Sequence, residues 1–132
     1  MAKTLAWIIG IVLVIVGILG FIPNKIVGAE GLFITDAVHD LIHIVTGAIF
    51  IILALSGSNS IGGAFKVFGI IYLIVAILGF FVGMESGSGE LLGFITINKA
   101  DNWLHILLAI VFLIIGYSAP KSGTAMSAGG MQ

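Results

Sequence analysis

The sequence predicts an all-α integral membrane protein, with four transmembrane helices built from two parallel helix–loop–helix repeats. Of its 132 residues, 60% are hydrophobic and only 8% are charged, whereas soluble domains are about 45–50% apolar. Four apolar runs approach the roughly 20 residues that a bilayer span requires. The first half of the chain also matches the second half. A protein this small has too little interior to hide such an apolar surplus, so we expect the runs to face lipid.

Each of the four apolar runs stops at a proline or at a small polar segment. They cover residues 5–22, 37–55, 67–82 and 103–117. Backbone groups in hydrocarbon have no water to bond, so each run is predicted to form a helix. We expect a single four-helix membrane domain over residues 1–118. The small polar residues of 119–132 are typical of a flexible tail, which we expect on the cytoplasmic side.

The two halves of the chain correspond closely. They cover about residues 5–57 and 65–118. The segment GILGFIP in the first half corresponds to AILGFFV in the second, and HDLIHIVTGAIF corresponds to DNWLHILLAIVF. His43 thereby falls on His105. Because each half contains two spans, both copies enter the membrane in the same direction, which makes the repeat parallel.

Small residues recur with a spacing of seven in the first and third runs. They are Gly10 and Gly17, matched by Gly69 and Ala76. Residues seven apart lie on one face of a helix, and small side chains let membrane helices approach closely. We therefore expect these four positions at helix–helix contacts, with Gly10 and Gly69 near the axis that relates the two halves.

The distribution of lysines predicts the orientation. Lys3, Lys66 and Lys121 fall on one side of the predicted membrane without any acidic residue, and all six acidic residues fall on the other side. Cytoplasmic loops carry an excess of lysine and arginine. Both termini are therefore predicted to be cytoplasmic. A net charge of −1 and the absence of arginine provide no basic surface for nucleic acid.

Catalytic motifs are not recognisable in the sequence. The chain has no cysteine, so disulfides and thiolate metal sites are excluded. It has neither a phosphate-binding glycine loop nor a nucleophile elbow. We therefore expect that the protein is not an enzyme.

Ionisable and amide residues concentrate where the second and fourth runs begin. The second run has Asp36, His39, Asp40 and His43, and the fourth has Asn98, Asp101, Asn102 and His105. Their spacing of three or four places each set on one helix face. In the structural interpretation, Asp40, Asp101 and Asn102 form a polar cluster that caps the helices. Neutral His43 and His105 then hold the outer loops to the helix ends, and no cofactor is bound.

Two cofactor interpretations remain open for the same residues. His43 and His105 lie at equal predicted depth and are candidate axial ligands for haem or for a chlorophyll-type tetrapyrrole. His39 and His43 are separated by four residues, as in many zinc sites, and Asp36 or Asp40 would complete that metal set. The second half has no counterpart of the first of these histidines.

The segments HDLIHIVTGAIFIILAL and NKADNWLHILLAIVFLIIG resemble a known family. They are similar to the bacterial four-helix membrane proteins grouped as domain of unknown function 4383, over about residues 5–117. The most specific part is Asn98 followed by the run from Asp101 to His105. The resemblance implies four helices in a bacterial plasma (inner) membrane, and it implies no activity.

The resulting expectation is a multi-pass membrane protein with a structural or accessory role. Its predicted partners are the lipid bilayer and either other membrane subunits or further copies of itself. The alternative is a haem-, pigment- or metal-binding membrane subunit that uses His43 and His105.

Overall fold

The computed structural model of the protein describes residues 1–82, 84 and 87–120. Within them the elements are α1 (Ala2–Gly20), α2 (Ala37–Leu55), α3 (Ile61–Gly79), β1 (Ser88–Leu91), β2 (Ile95–Asn98) and α4 (Lys99–Ser118). All four helices are long and apolar enough to cross a membrane, which confirms the four helices predicted from the sequence. Residues 121–132, most of the predicted tail, lie outside the described residues.

Two helices begin well before the apolar runs that predicted them. α3 starts at Ile61 rather than at residue 67, and the Lys66 ammonium group lies 4.8 Å from the centre of the Tyr117 ring. A lysine can lie along an apolar helix face when its charged end finds a favourable site, such as an aromatic ring. α4 starts at Lys99 rather than at residue 103, because the Asn98 side chain caps it there.

A short antiparallel hairpin precedes α4, where the all-α prediction expected only a loop. In its register Ser88 pairs with Asn98 and Leu91 pairs with Ile95. The turn includes Leu92 at a φ of 56°, a left-handed conformation that is uncommon for a residue with a side chain. Alternating β-branched residues in ITIN favour a strand, but four residues are too few for periodicity to predict one.

The helices pack as two pairs, α1 with α2 and α3 with α4. The pairs meet through a cluster of aromatic side chains at the centre of the bundle. Phe50 of α2 lies 4.6 Å from Phe65 of α3 and 5.5 Å from Phe112 of α4, measured between ring centres. All three rings are fully buried. Phe50 and Phe112 are corresponding residues of the two halves, so the core is built where the halves meet.

The small residues predicted to pack lie at contacts within each pair. A Cβ atom on Gly10 would come 2.8 Å from the carbonyl oxygen of Gly47, and one on Gly17 would come 2.6 Å from Ile44. Gly69 contacts Leu113 of α4 in the same way, and Ala76 is fully buried. These contacts join α1 to α2 and α3 to α4. A residue near the axis that relates the two halves would instead contact the other pair, so Gly10 and Gly69 do not lie where we expected them.

Large apolar side chains cover the outside of the bundle. Along α1, Ile8, Ile11, Ile15 and Ile18 are each 44–53% exposed. In the most apolar stretch of each helix, only 22–39% of residues are buried. Such continuous apolar surface is far larger than the patches that soluble monomers expose.

Candidate metal centre

All three histidines of the chain converge at one end of the bundle. His39 and His43 come from α2 and His105 comes from α4, and each is at most 5% exposed. One ring nitrogen from each histidine lies within 4.8 Å of the other two. The ring centres are 4.7 to 5.9 Å apart. The sequence paired His43 with His105 in one interpretation and with His39 in another, and the fold brings all three histidines together.

Two caps fix the ends of the helices that carry these histidines. The Asp36 carboxylate accepts hydrogen bonds from the backbone N–H of His39 at 2.9 Å and of Thr96 at 2.7 Å. The Asn98 side chain accepts one from the N–H of Asp101 at 2.9 Å. Such caps satisfy helix N–H groups that have no partner within the helix. Because Thr96 belongs to β2, the first cap also ties α2 to the hairpin.

The electrostatics of Asp36 follow from the same hydrogen bonds. Partial burial raises the pKa of this carboxyl group, but the N–H donors of His39 and Thr96 lower it, and the pKa lies below its ordinary value. A hydrogen bond to the charged form favours that form. Asp36 is therefore a carboxylate already committed to the backbone, and the structure does not bring it to the histidines as a ligand.

Two of the histidines have their outer nitrogens held by hydrogen bonds. Nδ1 of His39 lies 2.8 Å from the carbonyl oxygen of Thr96. Nδ1 of His105 lies 2.9 Å from the carbonyl oxygen of Asp101, and Oδ2 of Asp101 lies 3.1 Å away without making a hydrogen bond among the described residues. Carbonyl oxygens only accept, so Nδ1 carries a hydrogen in both rings, and in a neutral ring Nε2 keeps its lone pair. Metal-bound histidines are usually held in this way, by a carbonyl or a carboxylate.

His43 differs from the other two histidines. Its Nδ1 atom is buried and has no hydrogen-bond partner among the described residues. A buried polar atom without a partner is rare and calls for a physical explanation, such as a bound water or ion. These hydrogen bonds differ from the structural interpretation, in which His43 and His105 hold the outer loops. His39 bonds the hairpin, and His105 bonds its own helix.

Asp101 is a buried carboxylate, 1% exposed, beside the histidines. Its Oδ1 lies 3.8 Å from Nε2 of His39 and its Oδ2 lies 3.1 Å from Nδ1 of His105. It occupies the place in the second half that His39 occupies in the first. A buried carboxylate requires compensating positive charge, and either a protonated imidazole or a metal ion at the histidines would supply it.

The remaining polar residues of the predicted cluster lie against glycines. The Asp40 carboxylate of α2 contacts Gly20 at the end of α1, and the Asn102 carboxamide of α4 contacts Gly79 at the end of α3. Both side chains are at most 1% exposed. A Cβ atom at either glycine would occupy the space of the polar group. Asp40 is thus directed into the contact with α1, and it does not belong to the group of potential metal ligands.

A cavity of about 50 Å³ lies beside the histidines. Its lining consists of His39, Ile42, His43, Ile71, Tyr72, Val75, Ile95 and His105. The Tyr72 ring lies 5.0 Å from the ring of His105. Sequence reasoning passed over Tyr72 because a lone tyrosine in an apolar run is usually a core residue. The sequence did hold one signal. Tyr72 lies about as far from the outer end of α3 as His43 lies from the outer end of α2, so the two are at similar depth.

Comparison with known proteins identifies the family. The model of a domain of unknown function, DUF4383, matches residues 3–118. The chain belongs to the DUF4383 family. This confirms the resemblance seen in the sequence, and it extends over the whole four-helix region. Neither the curated proteins nor the solved structures provided a match.

Proposed function

We propose that this DUF4383 protein is an integral membrane protein made of two parallel helix–loop–helix repeats, and that it binds one divalent transition-metal ion at His39, His43 and His105. The observation that carries the metal site is the convergence of three buried imidazoles whose ring nitrogens lie within 4.8 Å of one another. Imidazole is a preferred ligand of zinc, copper, iron and nickel.

Three features support the membrane location and the repeat. The exposed surface of all four helices is largely apolar, which water disfavours and lipid accepts. Equivalent contacts recur in both halves, as in the caps at Asp36 and Asn98. The contact of Gly20 with Asp40 likewise has its counterpart at Gly79 and Asn102. From the distribution of lysines we further propose that both termini lie in the cytoplasm. The metal site would then lie near the opposite, outer surface of a bacterial plasma membrane.

The geometry of the histidines suits an ion after a small contraction. In a tetrahedral site with Zn–N bonds of about 2.0–2.1 Å, ligand nitrogens lie roughly 3.4 Å apart. The rings therefore move inward by on the order of 1 Å on binding. The orientation of two of the rings is already set, because Thr96 and Asp101 hold the outer nitrogens of His39 and His105. The Asp101 carboxylate compensates part of the charge of a divalent ion.

The distances and the cavity volume at the histidines favour a metal ion over a tetrapyrrole. The rings of His43 and His105 are 5.9 Å apart and nearly parallel, at 19°. The neighbouring cavity is about 50 Å³, whereas organic ligands occupy pockets of about 300 Å³ or more. A haem or chlorophyll would require the outer ends of α2 and α4 to separate. The role of the protein as a structural or accessory subunit stays a prediction, and a metal joining the two repeats is compatible with it.

Metal binding is tested on the purified protein. The chain is purified in detergent with an affinity tag that contains no histidine, stripped with a chelator, and reconstituted with Zn²⁺ or Co²⁺. We expect one metal ion per chain by elemental analysis. His43→Leu should still fold but lose stoichiometric metal, because Nδ1 of His43 makes no hydrogen bond that the fold would lose. Val45→Leu, at a 50% exposed position of the same helix, is the matched control.

The result distinguishes the proposals. Wild-type protein that takes up no stoichiometric metal, or His43→Leu protein that binds as much as the control, would exclude this metal site. A porphyrin-type absorption band in protein isolated from its native membrane would support the tetrapyrrole alternative.

The parallel repeat and its orientation are tested by labelling. The chain has no cysteine, so single cysteines at exposed positions between the helices report the side they occupy. Glu30→Cys and Glu90→Cys should both react with an impermeant thiol reagent in intact cells, and Asn59→Cys should react only after lysis. Labelling of just one of the first two variants would contradict a parallel repeat, and a reversed pattern would invert the orientation.

A further inference from the structure

The hydroxyl group of Tyr72 is buried next to the histidines without a hydrogen bond. Tyr72 is 4% exposed, and its hydroxyl oxygen has no partner among the described residues. The Thr46 side chain approaches it from α2, but outside hydrogen-bonding geometry. A buried polar group is rarely left unpaired, so the hydroxyl calls for a partner. The corresponding residue of α1 is Leu13, so the first half has no such polar group at this position.

The histidines leave part of a metal coordination shell unfilled. Zinc and related ions are usually four-coordinate, and three protein ligands with one open position are typical of sites that bind an exogenous ligand. The group of potential ligands among the described residues contains three histidines and no carboxylate. Asp101 is directed toward Nδ1 of His105. Tyr72 and all three histidines line one cavity, which provides room for a fourth ligand.

The size of the cavity restricts what can occupy that position. A volume of about 50 Å³ exceeds the roughly 30 Å³ that one water molecule occupies in the liquid. Its other walls are the apolar side chains of Ile42, Ile71, Val75 and Ile95, which exclude charged organic groups. The space accepts a ligand of about one to three non-hydrogen atoms, such as hydroxide or a small inorganic anion.

We infer that the metal of this site keeps one coordination position for a small exogenous ligand, and that the Tyr72 hydroxyl donates a hydrogen bond to that ligand. The inference rests on the proposed metal site. It assigns the site a ligand class, a small anion or hydroxide, and explains the unpaired hydroxyl. The bound anion accepts the phenolic hydrogen, and no bond within the protein is broken.

Azide binding to the Co²⁺-loaded protein in detergent tests the inference. Azide has three atoms and changes the visible spectrum of Co²⁺ when it becomes a ligand. We expect a saturable spectral change in the wild type. Tyr72→Phe should keep one Co²⁺ per chain but bind azide about 10-fold more weakly, the size of one hydrogen bond to a charged group. Tyr117→Phe changes the chain's other tyrosine, which is 72% exposed, and should behave as the wild type.

Benzoate provides a test of size. It carries the same charge as azide but is too large for the cavity, so we expect no spectral change. Benzoate binding as tight as that of azide, or equal azide affinity in Tyr72→Phe and the wild type, would overturn the inference while leaving the metal site intact. A phenolate-to-metal absorption band in Cu²⁺ protein that disappears in Tyr72→Phe would also overturn it, because the tyrosine itself would fill the position. Failure to bind Co²⁺ at all would overturn the proposed metal site and this inference with it.

Discussion

The outer ends of the two halves of the chain make corresponding contacts and differ in a few atoms. In both, an oxygen of the residue before the second helix of the repeat caps that helix, Asp36 in the first and Asn98 in the second. In both, a short polar side chain lies against a glycine, Asp40 in the first and Asn102 in the second. Aspartate and asparagine have nearly the same shape, so these exchanges alter charge and hydrogen bonding while the packing stays the same.

A third exchange has a different consequence. His39 of the first repeat corresponds to Asp101 of the second, and these side chains differ in size, charge and chemistry. Their atoms approach to 3.8 Å, and together they surround His43 and His105 with one more imidazole and one carboxylate. A symmetrical pair of repeats would hold two pairs of identical groups. The single exchange produces three histidines with a carboxylate behind them, which is the donor set of a metal site.

The largest effect is expected at the two glycine contacts. Gly20→Ala and Gly79→Ala should each lower the free energy of unfolding by about 1–3 kcal/mol, because the added methyl group would overlap the side chain of Asp40 or Asn102. Unfolding in detergent, followed by circular dichroism, measures this change. Gly63→Ala is the control, since a Cβ atom there has open space around it. A similar loss in Gly63→Ala would show that the loss does not come from the contact. A loss in only one of Gly20→Ala and Gly79→Ala would show that the two halves do not share it.

The next effect separates two histidines of the first repeat. In the presence of a chelator, His39→Leu should lower the free energy of unfolding by about 1–3 kcal/mol, because the Thr96 carbonyl loses its bond. His43→Leu should be nearly neutral, since it removes a buried Nδ1 atom that has no hydrogen-bond partner in the part of the chain that the structure describes. The same unfolding measurement applies to both. Equal losses would mean that His43 holds the fold by a bond that the structure does not contain.

The two caps should contribute equally at neutral pH and unequally in acid. Asp36→Ala and Asn98→Ala should each cost about 1 kcal/mol. Because its pKa is lowered in the fold, Asp36 contributes fully above its unfolded pKa of about 4. That contribution is lost as the pH falls through the lower, folded value. Asp36→Asn should therefore lose less stability than the wild type between about pH 5 and pH 3. Glu30→Gln, at an exposed position, is the control, and an unchanged acid profile in Asp36→Asn would contradict the prediction.

A small effect on stability is also expected for Asp40→Asn. Asn102 shows that a carboxamide packs against the glycine of a neighbouring helix, so the cost should stay below about 1.5 kcal/mol, as for other volume-conserving changes. Metal affinity should not change. In contrast, Asp101→Asn should weaken metal binding by about 10–100-fold, the usual effect of losing a carboxylate beside metal ligands, because it removes the buried negative charge next to the histidines. Equal metal affinities in these two variants would remove the distinction between the two aspartates.

Much of the fold was accessible from the sequence because lipid-facing helices leave a strong local signal. Runs of apolar residues predicted α1 to α4. The start of α4 depended on the cap at Asn98, and α3 extends past Lys66, whose charged end lies over the Tyr117 ring. The hairpin was missed because its strands are four residues long. Part of the candidate site could be predicted from the sequence. His43 and His105 were paired through the repeat, whereas Tyr72 and Thr96 gave no pattern of their own.

The sequence by itself determined the four helices, the correspondence of the two halves, and the polar residues at the start of the second helix of each half. These features depend on residues near one another in the chain. Only the tertiary structure decided that His105 of α4 and not Asp36 or Asp40 joins His39 and His43. The physical reason is competition for each carboxylate. Asp36 is engaged by the N–H of His39 in its own helix and by the N–H of Thr96 in β2, and Gly20 of α1 covers Asp40. Thr96 and Gly20 belong to elements that only folding brings close.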